Sequence, residues 1–405
     1  MKVKTKRKNI AVIFVCVFLA LVLAFGITLG IIAAVRNANA VYTYNGTVMD
    51  RKVAAFFTSR YKVKYFSAVK SEGFEPTDDV AFWQSEYKDG VSFGENFDAL
   101  LDEHLKEILV SNYIFDNCRS LNDEDKSTIE KTVYEVLDYK ANGDVAVFNE
   151  MAEPYGFDYD SFKTAVTMQY KASSAFIALF GDEGVNISAD ATACGSYLNE
   201  YSHVSLIIVR EGTKLKSVEG EGDKNVFLDS NERAKRKDYI DLIHNAILAY
   251  KTGGDGKMTV TSFENWLDDE ENSAIDMRED GFYFNENAER TAEFAEIFPD
   301  VVKRAYEMEL HTFDEVEMTV SLDMEDGEIY EEKLHVFMYK YPPREGAYAD
   351  KEASEYWFSD FYTDAAVYIF GRYLNEYREG VVGGGYFDSF DGRTIPINNE
   401  ITPRF

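Results

Sequence analysis

The residues that could do chemistry are few and scattered along the chain. Five histidines occur in 405 residues, at positions 104, 203, 244, 311 and 335. None pair at the spacing that aims two imidazoles from one helix face at a metal. Three cysteines, Cys16, Cys118 and Cys194, are too few for a four-cysteine zinc site or a disulfide framework. Cys16 lies in an apolar run; the other two have one disulfide or two free thiols open to them. Gly383-Gly384-Gly385 lacks the Lys-Ser/Thr of a phosphate-cradling loop and reads as a linker before a short polar tail. Asp323-Met-Glu-Asp326-Gly327 lacks the twelve-residue ligand spacing of a calcium loop and reads as a hairpin turn. No Gly-x-Ser-x-Gly elbow is present. The local motifs therefore point to no hydrolase, metal centre, nucleotide site or cofactor.

Composition narrows the remaining classes. With 72 Asp+Glu against 42 Lys+Arg, the formal net charge is -30, which leaves no basic surface to displace phosphate counterions, so nucleic acid is excluded as a partner. The 30 Phe and 27 Tyr are more rings than a solvated, disordered chain carries. The length predicts two or three folded units.

The amino terminus carries Lys2, Lys4, Lys6, Arg7 and Lys8, followed by Ile10 to Val35 without a charge. As a helix this run spans roughly 39 Å, enough to cross about 30 Å of hydrocarbon. The basic flank predicts a cytoplasmic tail (1–9), a single transmembrane signal anchor (10–35) in the cell membrane, and an extracytoplasmic remainder. Ala38-Asn39-Ala40 offers a second reading, a signal peptide cleaved after Ala40, although the apolar run exceeds the usual length.

The elements that follow are mostly helical. Asn45-Gly46 marks a turn after a short strand and before a helix through Val53, Phe56 and Phe57. Apolar residues at Leu101, Leu105, Ile108, Leu109 and Tyr113 predict a helix from Phe97 to Cys118, and Asn122 caps another. Helices over Val145–Tyr155, Tyr159–Phe180 and Ala189–Tyr201 follow. The pattern then changes. Val204–Val209 reads as a buried strand, a loop leads to a helix over Asn231–Tyr250, and Phe263–Leu267 begins a short helical piece. Gly281–Phe284, Val316–Leu322 and Leu334–Tyr339 read as strands, with one helix over Thr291–Leu310 containing Pro299. Ser354–Tyr377 returns to helix, with rings at Tyr356, Trp357, Phe361, Tyr362, Tyr368 and Phe370. The predicted class is α+β: an N-terminal transmembrane helix, a helical lobe from residues 41–202 and 343–405, and an α/β insert over 203–342.

In this order the segments resemble the PrsA- and SurA-like extracytoplasmic foldases, in which a helical chaperone lobe is split by a parvulin-type peptidyl-prolyl isomerase domain. Val41–Phe57 looks like the first chaperone helix with its Asn-Gly start. Ile187–Tyr201 resembles the helix leading into the parvulin strand, and Phe298-Pro299-Asp300 through Met308 the last parvulin helix. Leu334-His335-Val-Phe-Met-Tyr339 is similar to the closing Gly-Tyr-His-Ile-Ile strand. The resemblance places His335 and Glu271 as catalytic residues, and Leu206, Ile297, Val301 and Tyr306 in the substrate pocket. Leu206 stands where the family has a histidine; His203 lies three residues away, on the other strand face. Ile297 and Val301 replace the Met and Phe that floor the proline seat.

Isomerisation needs no covalent step. A pocket lowers a barrier of about 18–20 kcal/mol by favouring the twisted imide over the planar one. Loss of a facing histidine and of the aromatic floor weakens that function. The expectation is a membrane-anchored folding factor that holds unfolded exported polypeptides in an aromatic-lined cleft, formed by the early helices and the Ser354–Tyr377 helix, with a weak or inactive parvulin module. An active isomerase and a scaffold for one dedicated partner are the alternatives.

Overall fold

The structure, a computed structural model, describes residues 37–218, 222–267, 281–350 and 356–403. The chain forms two compact units, one from Met1–Gly184 and Phe370–Phe405, the other from Val185–Ile369. The second unit is thus wider at both ends than the expected 203–342.

The first unit begins with a hairpin, β1 (Ala40–Tyr44) and β2 (Thr47–Asp50). Asn45 and Gly46 turn it with φ of 44° and 87°, the left-handed pair that matches the twist of two flanking strands. Asp50 then caps α1 (Arg51–Ser71), accepting from the Lys52 and Val53 amides. After α2 (Val80–Gln84) and the short pair β3 (Glu86–Lys88) and β4 (Val91–Ser92) come the long helices. They are α3 (Phe93–Cys118), α4 (Asp123–Ala141), α5 (Val145–Ala152) and α6 (Tyr159–Phe180). Reciprocal capping boxes start α3 at Ser92/Glu95, α4 at Asn122/Asp125 and α6 at Asp158/Ser161. The apolar faces of α1, α3, α4, α5 and α6 close over one core that includes Phe56, Phe97, Phe115, Phe148 and Phe162.

The returning residues complete this unit and are no linker. Strand Val382–Gly383 pairs antiparallel with β1, on the side away from β2. Gly384 donates to Val41 O (2.9 Å) and Gly385 to Asn37 O (2.8 Å). A Cβ on Gly384 would lie 2.5 Å from the Ala40 Cβ and 2.7 Å from its carbonyl carbon, so only glycine allows the two backbones to touch. Further on, Lys62 of α1 is fully buried, and its ammonium donates to Asp78 Oδ1 (2.7 Å), Arg393 O (2.7 Å) and Ile395 O (2.6 Å). Arg60 donates to Asn398 O and Thr402 Oγ1. Two cations on one helix thus secure the tail.

The expected anchor and the extracytoplasmic location read from it are withdrawn. Residues 10–35, on which both rested, lie outside the described residues. Among the described residues no helix is long and apolar enough to cross a membrane. Even the long helices that are rich in rings carry charge: α1 holds Arg51, Lys52, Arg60, Lys62, Lys64 and Lys70, and α6 holds Asp160, Lys163 and Lys171.

The second unit contains α7 (Ala191–Leu198), β5 (Ser202–Arg210), β6 (Thr213–Val218), β7 (Gly222–Phe227), α8 (Ser230–Thr252) and α9 (Val260–Leu267). Next come β8 (Phe282–Phe284), α10 (Glu289–Ile297), α11 (Pro299–Glu307), β9 (Phe313–Asp323) and β10 (Ile329–Tyr341). Residues up to Ile369 of α12 (Phe361–Glu379) also belong to it. Strands β8-β5-β10-β9 form an antiparallel sheet in that order. Its odd-numbered residues, among them Ile207, Val209, Phe337 and Tyr339, pack with Ile240, Ile243 and Ile247 of α8 and Phe263 of α9. The even-numbered side faces α11, where Ser202 Oγ (2.7 Å) and Lys340 Nζ (2.8 Å) both donate to Ala305 O. The expected helix over Thr291–Leu310 is two helices: Phe298 leaves the helical region at φ -125°, ψ 55°, and Pro299 starts the next. The expected loop after Val209 holds the β6–β7 hairpin.

Candidate functional site

The residues expected to form an isomerase pocket are divided between the two faces of the sheet. Residues directly opposite in an antiparallel pair share a face. On β10, His335 faces Val209 of β5 and Glu317 of β9, whereas Leu206 faces Met338. Three residues separate Met338 from His335, so Leu206 and His335 point to opposite sides.

His335, 8% exposed, is on the α8 side. Its Nε2 lies 3.4 Å from Glu211 Oε2 and its Nδ1 lies 3.3 Å from Glu317 Oε1. Both ring nitrogens therefore face a carboxylate of the protein itself. Beside it on the same face, His244 Nδ1 of α8 lies 2.9 Å from Glu315 Oε2.

Leu206 is buried on the α11 side, and Val301 is buried on α11 itself. Tyr306 is also on α11; burial pushes its hydroxyl well above the ordinary phenol range, against a smaller opposing pull from the Thr291 side chain. Ile297 ends α10 and is 59% exposed, so it walls no pocket. Glu271 lies outside the described residues. His203 shares the odd face with His335, but it pairs with Tyr341, six residues or about 20 Å along the strand. There it stacks on Tyr283 with ring centroids 4.2 Å apart. No single pocket collects a proline seat and a polar cluster from these positions.

A ring-walled cleft is present in the first unit instead, a cavity of about 320 Å³. Helix α1 contributes Phe56, Phe57 and Tyr61, α3 contributes His104 and Ile108, and the returning helix contributes Phe370. Positions 57, 61 and 64 recur at helical spacing, which is why one face of α1 supplies both the rings and the rim cation Lys64. His104 stacks on Tyr61 with centroids 4.6 Å apart. Burial, helped by the nearby Lys64, holds His104 down to about 4, so its imidazole is neutral at neutral pH. Gln169 and Ser173 of α6 add polar groups at the wall. Arg60, Lys64 and Glu107 place charges on the same lining, while the four Phe and Tyr rings with Ile108 and Ala172 form an apolar wall suited to an apolar side chain.

The expected cleft was formed by the early helices and the Ser354–Tyr377 helix, with rings at Tyr356, Trp357, Phe361, Tyr362, Tyr368 and Phe370. Of those rings only Phe370 lines this cavity, and Trp357, Phe361 and Tyr368 belong to the second unit, where Tyr197 contacts the last two. His104 and Tyr61 were missed. Their signal, a histidine and a tyrosine on the inner stripes of two adjacent amphipathic helices, is visible only once the helices are paired.

Cys118 and Cys194 are both free thiols, the first exposed and the second buried. Among the described residues no group of three or more His, Cys, Asp or Glu could hold a metal ion. Comparison with models of known protein families and with curated proteins finds no match for this chain.

Proposed function

We propose that the protein is a polypeptide-binding folding factor that holds apolar segments of unfolded chains in the cleft between α1, α3 and α6. Its α/β unit is a parvulin-like insert without isomerase activity. The observation that supports the first part is the cavity walled by Phe56, Phe57, Tyr61 and Phe370, rings that α1 and the returning helix bring together. The second part rests on the opposite-facing Leu206 and His335. Lowering the barrier to amide rotation needs the imide carbonyl and the proline ring held by one set of groups.

The test uses the full chain with a chemically unfolded client and, separately, a prolyl peptide. Aggregation of the client should be suppressed, and prolyl isomerisation should stay at its uncatalysed rate. Tyr61→Ser and Phe370→Ser, both at half-buried positions, should each weaken client binding roughly tenfold, the equivalent of about 1.4 kcal/mol of lost apolar contact. A chain that leaves aggregation unchanged refutes the folding-factor reading. Turnover that disappears in His335→Ala would establish an isomerase in its place.

A further inference from the structure

A second cavity of the first unit, about 510 Å³, lies apart from the ring-walled cleft, between α3, β1 and the tail. Asp98, Asp102, Asp388 and Asp391 line it together with one cation, Arg393. Tyr42, Phe387 and Phe390 supply aromatic walls, with Tyr42 and Phe387 centroids 5.4 Å apart.

Two intramolecular cations already show how this surface treats a positive charge. Lys106 Nζ lies 2.7 Å from Asp102 and 5.8 Å from the centre of the Tyr42 ring, held between a carboxylate and a π face. Tyr42 Oη donates to the same Asp102 at 2.5 Å, which fixes that carboxylate. Arg393 Nε reaches Asp391 at 3.3 Å and Asp98 at 3.6 Å. These two cations leave the cavity with a surplus of negative charge. Asp388, an exposed carboxylate, has no hydrogen bond or ion pair to a described residue, and the neighbouring Phe387 is 42% exposed. The electrostatics agree: burial holds the Asp98 carboxyl above its ordinary range against the pull of Arg393, and Asp391 and Glu95 push the same way.

We propose that this cavity binds a lysine or arginine side chain of a polypeptide, seated on the Phe387 and Phe390 rings with its charge on Asp388 and Asp98. The inference rests on the polypeptide-binding reading and adds a preference for basic segments. A carboxylate paired with an aromatic wall is selective for such a cation, because the apolar stem covers the ring while the charged head meets the acid. The net charge of -30 draws basic chains toward the surface over a longer range.

The experiment measures binding of a fluorescein-labelled Gly/Ser decapeptide carrying one lysine, by anisotropy at low salt, to the full chain. The peptide has no large apolar residue, so it reads this cavity separately from the ring-walled cleft. It should bind at least about tenfold tighter than its norleucine counterpart, and the Asp98→Asn/Asp388→Asn variant, verified as folded by circular dichroism, should lose that difference. Equal binding of the two peptides, or a charge preference that survives in the variant, overturns the proposal while leaving the ring-walled cleft standing. Binding of Nα-acetyl-lysine amide as tight as that of the peptide also overturns it, in favour of a small-amine site. If neither these peptides nor an unfolded client binds, the folding-factor reading falls as well.

Discussion

Replacing Gly384 by alanine puts a methyl group where the backbone of residue 40 already lies. The new Cβ would be 2.5 Å from the Ala40 Cβ and 2.7 Å from its carbonyl carbon, with the carbonyl oxygen closer still. Carbon atoms make their best contact at about 3.5–4.0 Å, so the two segments must part by about 1 Å. Three hydrogen bonds cross this seam: Gly384 N–H to Val41 O (2.9 Å), Gly385 N–H to Asn37 O (2.8 Å) and Tyr386 N–H to Ala40 O (2.9 Å). A 1 Å separation takes all three beyond bonding range. At about 0.5–1.5 kcal/mol each, the loss is about 1.5–4.5 kcal/mol. For a unit of this size that corresponds to a fall of roughly 3–18 °C in its calorimetric transition. Gly371→Ala is the control, since nothing lies within 4 Å of its added Cβ and it is inside a helix. It should be neutral or raise stability by about 0.5–1 kcal/mol. If Gly384→Ala melts within about 1 °C of the wild type, the seam is not under the constraint described.

Two further outcomes follow from the charges of the same unit. Lys62→Met removes all three bonds of a fully buried ammonium, takes the cation from Asp78, which keeps the Trp83 indole N–H, and leaves two tail carbonyls without that donor. It should cost about 3 kcal/mol and open residues 386–403 to limited proteolysis, read by mass spectrometry. His104 is held near 4 by burial, so protonation is resisted in the folded state only. Its neutral form costs nothing above the ordinary histidine value of about 6.5, and stability is lost as pH falls from there toward 4. By linkage the loss is about 2 kcal/mol at pH 5, and His104→Gln should flatten urea-denaturation stability between pH 7 and 5. An unchanged slope in that variant assigns the pH dependence to other groups.

The sequence shows those parts of the fold that depend on near neighbours. Asn122 caps α4 as its residue type suggests, Asn45-Gly46 turns the first hairpin, and α6 runs Tyr159–Phe180 as its periodicity indicates. The β6–β7 hairpin was hidden because it pairs mainly with itself and buries little: Leu215 and Phe227 remain 47% and 48% exposed. Its lysine-rich alternation therefore looks like a loop. Pro299 was read as tolerated inside one helix, whereas the residue before a proline is pushed out of the helical region, and Phe298 obeys that rule. Gly383–Gly385 looked like a linker because the residues it packs against lie more than 340 positions earlier. Ring content announced an aromatic cleft, but which rings reach it depends on how α1 and α3 pair, and that is a long-range property.

Strand register is the most consequential of these long-range facts. Individually, Leu206 and His335 sit on strands that pair, and sequence order alone allows them to meet. Register decides the matter, because a one-residue slip between β5 and β10 would be needed to bring them to a common face. Slipping β10 would turn Phe337 and Tyr339 away from Ile240, Ile243, Ile247 and Phe263 and toward α11. Each such ring is worth about 1.5–3 kcal/mol of burial, and the slip would also pull His335 off Glu317 and Glu211. The core that stabilises the insert therefore holds His335 away from Leu206. The two glutamates beside it give the histidine a local role, a cross-strand clamp between β9, β10 and the end of β5, that requires no substrate at all.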